Sequence, residues 1–236
     1  MKPARRSSGF TLLELVVVVA ILTVLAGIAL PVASKAWNSA ARRATRERLT
    51  ELARASLDYA RDVGAAPKRV ADLLERPDGV RGWLGPYVAI EAVDPAGGRP
   101  AALDAWSRAI VVVPDAAASE RFVLASRGLD GVESEDDLAV AVDLTPIFRE
   151  RTLRALDLAN DALARWRAAH PGEGIARDWP RARARLVVDG WLAADSETER
   201  DAWGRALEAD RSAATAEHAA WTVVSPALLA RGNSAR

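Results

Sequence analysis

Gly9-Phe10-Thr11-Leu12-Leu13-Glu14 closes a short basic leader and opens a long apolar run, and the reading of this junction decides the architecture of the chain. Lys2, Arg5 and Arg6 precede it, and no residue from 15 to 33 is charged. At about 1.5 Å rise per residue, roughly 20 apolar residues cross a bilayer core as a helix, so this run is long enough to span. A secretory signal has a shorter apolar core with its cleavage site behind it. Here the charged leader stops before the apolar run begins, so the run is expected to stay with the mature chain. Glu14 stands out, because a carboxylate at membrane depth costs on the order of 2 to 3 kcal/mol unless it has a partner or lies at headgroup level as a helix-start charge. Lys35, Arg42, Arg43, Arg46 and Arg48 come after the span. A count of basic residues alone would keep that side in the cytoplasm, whereas long following domains translocate regardless of charge.

Composition narrows the function classes. With 32 basic and 32 acidic residues the formal charge is zero, so no electrostatic footprint for nucleic acid is expected. The absence of cysteine removes disulfides, thiolate zinc sites and thiol nucleophiles together. His170 and His218 are the only imidazoles and stand in no metal or catalytic spacing, so surface or capping roles are expected. With no nucleophile, base pair or metal triad in the pattern, the chain is not expected to be an enzyme.

Beyond the apolar run, Leu49, Leu52, Ser56, Tyr59 and Val63 recur at three- and four-residue spacing, with arginines on the other faces. The helix is therefore expected to continue past Pro31 to about residue 62, on the order of 80 Å, and to close at Gly64 and Pro67. A short helix over 69–74 comes next, then Trp83-Leu84-Gly85-Pro86-Tyr87 and a Pro/Gly loop at 95–100. Three apolar runs, 109–113, 122–125 and 138–144, carry strand signals between turn residues. The fold class is α+β: a long N-terminal transmembrane helix running into a head with a small antiparallel sheet.

Gly9 followed by FTLLE and an apolar helix containing Pro31 resembles the signal of the type IV pilin-like superfamily, type IV pilins and type II secretion pseudopilins together. The resemblance is closest to the major pseudopilin of type II secretion. This chain shows WLGPY at 83–87, DAWSR at 104–108, SRGLDG at 126–131 and DDL at 136–138, in that family's order. It implies cleavage between Gly9 and Phe10 by a prepilin peptidase and methylation of the new Phe10 amino group. It also implies pairing of Glu14 with that amino group on a neighbouring subunit, and assembly with itself and other pseudopilins on an inner-membrane platform. The implied location is the inner membrane, single-pass and lipid-embedded, with periplasmic C-terminal domains. The implied function is a pseudopilus subunit driving export of proteins across the outer membrane; a type IV pilin for adhesion, motility or DNA uptake is the alternative, though such a pilin would usually carry a cysteine-closed loop.

The loop from Ser126 to Leu138 gathers the hard oxygens of Ser126, Asp130, Glu133, Glu135, Asp136 and Asp137 among glycines, the donor type that calcium prefers. A solvated acidic loop that binds nothing is the plainer reading of such a cluster. By resemblance to the family's calcium loop, the ligands would be the Val123 carbonyl, Ser126, Asp136, Asp137 and the Leu138 carbonyl, with calcium purely structural.

About 90 residues remain after Leu144, and they echo the first part. DAWSRA at 104–109 returns as DAWGRA at 201–206, Gly82-Trp83-Leu84 as Gly190-Trp191-Leu192, and FVLAS at 122–126 as WTVVS at 221–225. Arg46-Glu47-Arg48 is matched to Arg149-Glu150-Arg151, and Leu49 and Leu52 to Leu153 and Leu156. The expected organisation is a leader at 1–9, a transmembrane helix at 10–33, a pseudopilin head at 34–145 and a second, degenerate, smaller pilin-like α+β head at 146–236. Nothing acidic comes after Ser225, so calcium is expected in the first head only. Trp83, Trp106, Trp191, Trp203 and Trp221 are expected to pack each head's core against its own helix.

Overall fold

The computed structural model describes residues 12–89, 102–135, 137–210 and 221–233. Gly9, Phe10, the 95–100 loop, Asp136 and His218 lie outside the described residues.

Helix α1, Leu12–Val63, runs unbroken for 52 residues through Pro31. Its two halves have different chemistry. Leu15 to Val19, Leu22, Leu25, Leu30 and Val32 are exposed, and Trp37 is 69% exposed, whereas Ala41, Thr45, Leu49, Leu52, Ser56, Tyr59 and Ala60 form a buried stripe at helical spacing. The Gly64 N–H donates to the Ala60 carbonyl at 2.9 Å and closes the helix.

A 3-10 turn, Val70–Leu73, packs beside the far end of α1, with the Asp72 carboxylate accepting the N–H groups of Lys68 and Arg69 at 2.9 and 3.0 Å. The WLGPY segment fastens this turn to the helix. Trp83 Nε1 donates to the Asp72 carbonyl at 3.0 Å, and the Tyr87 hydroxyl donates to Asp62 Oδ2 at 2.9 Å. The Tyr87 ring stands edge-on to Tyr59 and Trp83, at 5.6 and 5.7 Å. Burial raises the pKa of both tyrosines, and neighbouring carboxylates push the same way.

Strands β1 (Val111–Pro114), β2 (Arg121–Ser126) and β3 (Leu138–Asp143) form an antiparallel sheet in that order, with Val111 opposite Ala125 and Ser126 opposite Leu138. In β2 the period of two turns Phe122, Leu124 and Ser126 inward, where the first two join Leu49, Leu52 and Tyr59 in one core.

Helix α2, Thr145–Ala169, starts immediately after β3, with Pro146 in its first turn. Helix α3, Trp179–Val188, is capped by Asp178, whose side chain accepts from the Arg181 N–H at 3.0 Å. A two-residue pairing of β4 (Glu208–Ala209) with β5 (Val223–Val224) and helix α4, Pro226–Asn233, complete the chain. Ala159, Leu163, Trp166, Trp179, Leu186, Leu207 and Trp221 make a second core that shares no buried residue with the first. The architecture is α+β, a long apolar N-terminal helix followed by a small antiparallel sheet with helices.

The tryptophans depart from expectation at one position. Trp203 does meet its own helix, edge-on to Phe148 of α2 at 5.9 Å, but that phenylalanine is buried in the first core, so the indole packs there and not in the second. Trp166 and Trp179 are the fully buried indoles of the second core. His170 caps α2, its backbone N–H bonded to the Trp166 carbonyl and its ring stacked on that indole at 4.6 Å.

Candidate functional site

The N-terminal half of α1 is the first candidate surface. It is long and apolar enough to cross a membrane, and no part of that apolar window is buried within the chain. Glu14 lies in the first helical turn, where the helix dipole favours a negative charge. Such a face leaves on the order of 30 residues of apolar surface to be covered by lipid or by other helices.

The second candidate is a turn that occurs twice. Asp104 is 3% exposed, yet its Oδ1 accepts the N–H groups of Trp106 and Arg108, each at 2.9 Å, and its Oδ2 accepts the Ser126 hydroxyl at 2.6 Å. The Ala105 N–H donates to Thr45 Oγ1 of α1 at 3.1 Å. Asp201, 4% exposed, repeats this arrangement. Its Oδ1 accepts from the Trp203 and Arg205 N–H groups at 3.0 and 2.9 Å, and its Oδ2 accepts the Ser225 hydroxyl at 2.7 Å. The Ala202 N–H donates to Thr152 Oγ1 of α2 at 3.0 Å. Both turns close on an isolated bridge, Leu103 with Ala109 and Arg200 with Ala206, and both leave a buried indole N–H, that of Trp106 and of Trp203, without a hydrogen-bond partner among the described residues. A buried carboxylate survives here because backbone and hydroxyl donors replace its water.

These contacts correct the helix register read from sequence. The turns make Thr152 the counterpart of Thr45, 107 residues apart, whereas matching Arg46 to Arg149 sets the helices 103 apart. The difference is one helical turn. Arginine and alanine repeat too often on both helices to register them, while a threonine pinned by a tertiary bond does so.

The acidic loop gives a divided answer about calcium. Asp137 Oδ1 is buried with no hydrogen-bond partner among the described residues, an open acceptor of the kind a hard cation takes. The Ser126 hydroxyl is engaged with Asp104 Oδ2 and accepts from the Gly128 N–H at 3.3 Å. Val123 lies in the central strand opposite Ala141, and Leu138 begins β3 opposite Ser126. Asp130 Oδ1 accepts the Val132 N–H at 3.0 Å, as in an ordinary Asx turn. The Arg108 guanidinium lies against Gly131 inside the loop. Among the described residues no group of three metal-ligating side chains assembles. Only Asp137 of the predicted set therefore presents a vacant side-chain oxygen, and Asp136 is not among the described residues.

A seam joins the two parts. Glu120, 1% exposed at the tip of the β1–β2 hairpin, faces Arg231 of α4, with Nη1 at 2.5 Å from Oε1 in a charge contact that is not aligned as a hydrogen bond. The same guanidinium lies over the Trp203 ring at 4.7 Å. Nearby, partial burial works against ionisation of Asp143, but hydrogen bonding from Thr145 and the charges of Arg121 and Arg231 outweigh it and hold that carboxyl below its usual range. Sequence reading did not reach this seam, since residues 120, 203 and 231 meet only in the fold.

No curated protein and no solved structure matches the chain. Residues 4–30 match the family model of the prokaryotic N-terminal methylation motif, which supports a type IV pilin-like family, with processing by a prepilin peptidase and assembly with other pilin-like subunits.

Proposed function

We propose that the chain is a structural subunit of a type II secretion pseudopilus, assembling through α1 to drive export of proteins across the outer membrane. The observation that carries this reading is the methylation motif leading into an α1 whose apolar half is wholly uncovered. In water such a surface would cost about 25 cal/mol per Å², so lipid must hold it before assembly and other helices afterwards. WLGPY and the SRGLDG loop favour the secretion machine over a pilus. In this reading residues 10–33 anchor the subunit in the inner membrane, 34–145 form a periplasmic head, and 146–236 form a second, degenerate head. The twofold Asp–Ser–Thr turn supports that duplication.

Two measurements test the reading. Deleting the gene in its host should leave exoproteins in the periplasm with surface pili intact; loss of pili with normal secretion would favour a type IV pilin instead. Glu14→Ala should leave leader cleavage intact and abolish incorporation into filaments, because the unpartnered amino terminus and the lost carboxylate no longer pair between subunits. Normal incorporation of that variant would remove Glu14 from assembly.

Calcium is proposed as a structural ligand of the first head, with the vacant Asp137 oxygen in its favour. Chelator should then lower the thermal midpoint of the purified chain, and added calcium should restore it in proportion to RT ln(1 + [Ca]/Kd). An unchanged midpoint means the loop holds itself.

A further inference from the structure

We propose that this chain ends a filament instead of repeating along it, because its second unit occupies the membrane-distal end of its first. The inference rests on the filament-subunit reading above.

Direction is set by α1. Its apolar half marks the membrane end, and Asp62 and Val63 mark the distal end. The first Asp turn meets α1 at Thr45, near the membrane side of the head, and Arg48 donates there to the Leu103 carbonyl at 2.7 Å. Contacts to the second unit gather at the other end. Arg151 Nη1 donates to the Arg61 carbonyl, in the last turn of α1, at 2.7 Å, while its Nη2 reaches Glu197 at 2.6 and 2.7 Å. Trp203 packs against the first core, and Arg231 meets Glu120 at the hairpin tip. With Ile147 and Phe148 of α2 buried in the first core, these contacts set the second unit against the distal end of the first.

That placement has a consequence for packing. The uncovered half of α1, from Leu12 up to the first buried residue Ala41, is on the order of 40 Å long. Covering it with like helices requires neighbours staggered along the filament by less than that length, since apolar surface must be shared over most of its extent. The heads of subunits further from the membrane then come to lie beyond the distal ends of those below. In this chain that space holds residues 145–233. The second unit repeats the Asp turn of a head and fills that space, so a further subunit's head would meet it there. The chain therefore has helix-bearing neighbours on its membrane side only.

The test uses the unaltered protein in its host. Filaments extracted from the membrane are labelled with gold-coupled Fab fragments against residues 146–236, and the molar ratio of this chain to the most abundant subunit is measured across filaments of different length. Gold at one end, with a ratio that falls as filaments lengthen, is the expected result. Gold spaced along the shaft at a constant ratio overturns the inference and leaves the filament reading standing. Protein that stays in the membrane and never accompanies filaments overturns the filament reading itself, and this inference with it.

Discussion

Ser107 and Gly204 occupy the same place in the two Asp turns, and both have left-handed backbones, with φ of 62° and 82°. An L-residue in that region strains its Cβ against the following carbonyl, and glycine does not. The first turn thus carries a cost of about 1 kcal/mol that the second avoids. Ser107→Gly should stabilise the purified chain by about 1 kcal/mol, a rise in thermal midpoint of about 2 to 4 °C, and Gly204→Ser should lower it by a similar amount. Thermal scans of the two variants in the same detergent check this, and a fall on Ser107→Gly would show that the Ser107 side chain supplies a contact outweighing its strain. The turn was legible in sequence because its residues are its mechanism. Asp104 and Asp201 recur with the same spacing to the N–H groups they hold, and Ser126 and Ser225 recur where a hydroxyl must reach them. Ser126 also has a part in this turn that its place beside an acidic loop does not reveal, because its hydroxyl proton goes to Asp104 Oδ2.

Among elements, legibility followed length and periodicity. Helix α1 declared itself through an uncharged run and a buried stripe, and Pro31 did not interrupt it. The strands were placed within two residues by their alternation, since facing positions such as Phe122 and Leu124 must be apolar while their neighbours need not be. Helix α3 is short, and its one clear sequence signal is the start Asp178-Trp179-Pro180, a capping carboxylate with a proline in the first turn. Trp179 and Trp166 lie outside the repeated motifs, yet they fill the centre of the second core, with Trp179 Nε1 donating to the Thr198 carbonyl at 2.6 Å. A repeat shows which turns were kept. It does not show what replaced the rest, here a full helix standing where the first unit has a short 3-10 turn.

At the scale of the molecule, the end-to-end arrangement depends on one buried charge. Glu120 has surrendered its water, and Arg231 is the cation that answers it, held in place by the face of Trp203. Removing the cation alone leaves an uncompensated carboxylate, which is worse than having neither group. Because Arg231 is 44% exposed, solvent reduces the loss, and Arg231→Ala should destabilise the chain by about 2 kcal/mol. The effect should be local. Hydrogen exchange should quicken at the Leu144 amide, which bonds to the Glu120 carbonyl, and at the α4 amides, while the β2–β3 ladder keeps its protection. Adding Glu120→Gln to Arg231→Ala should recover part of the loss, because a neutral amide no longer demands a cation. Uniform loss of protection across both cores would show instead that the two units fold as one cooperative body, and that the seam is a part of a single core.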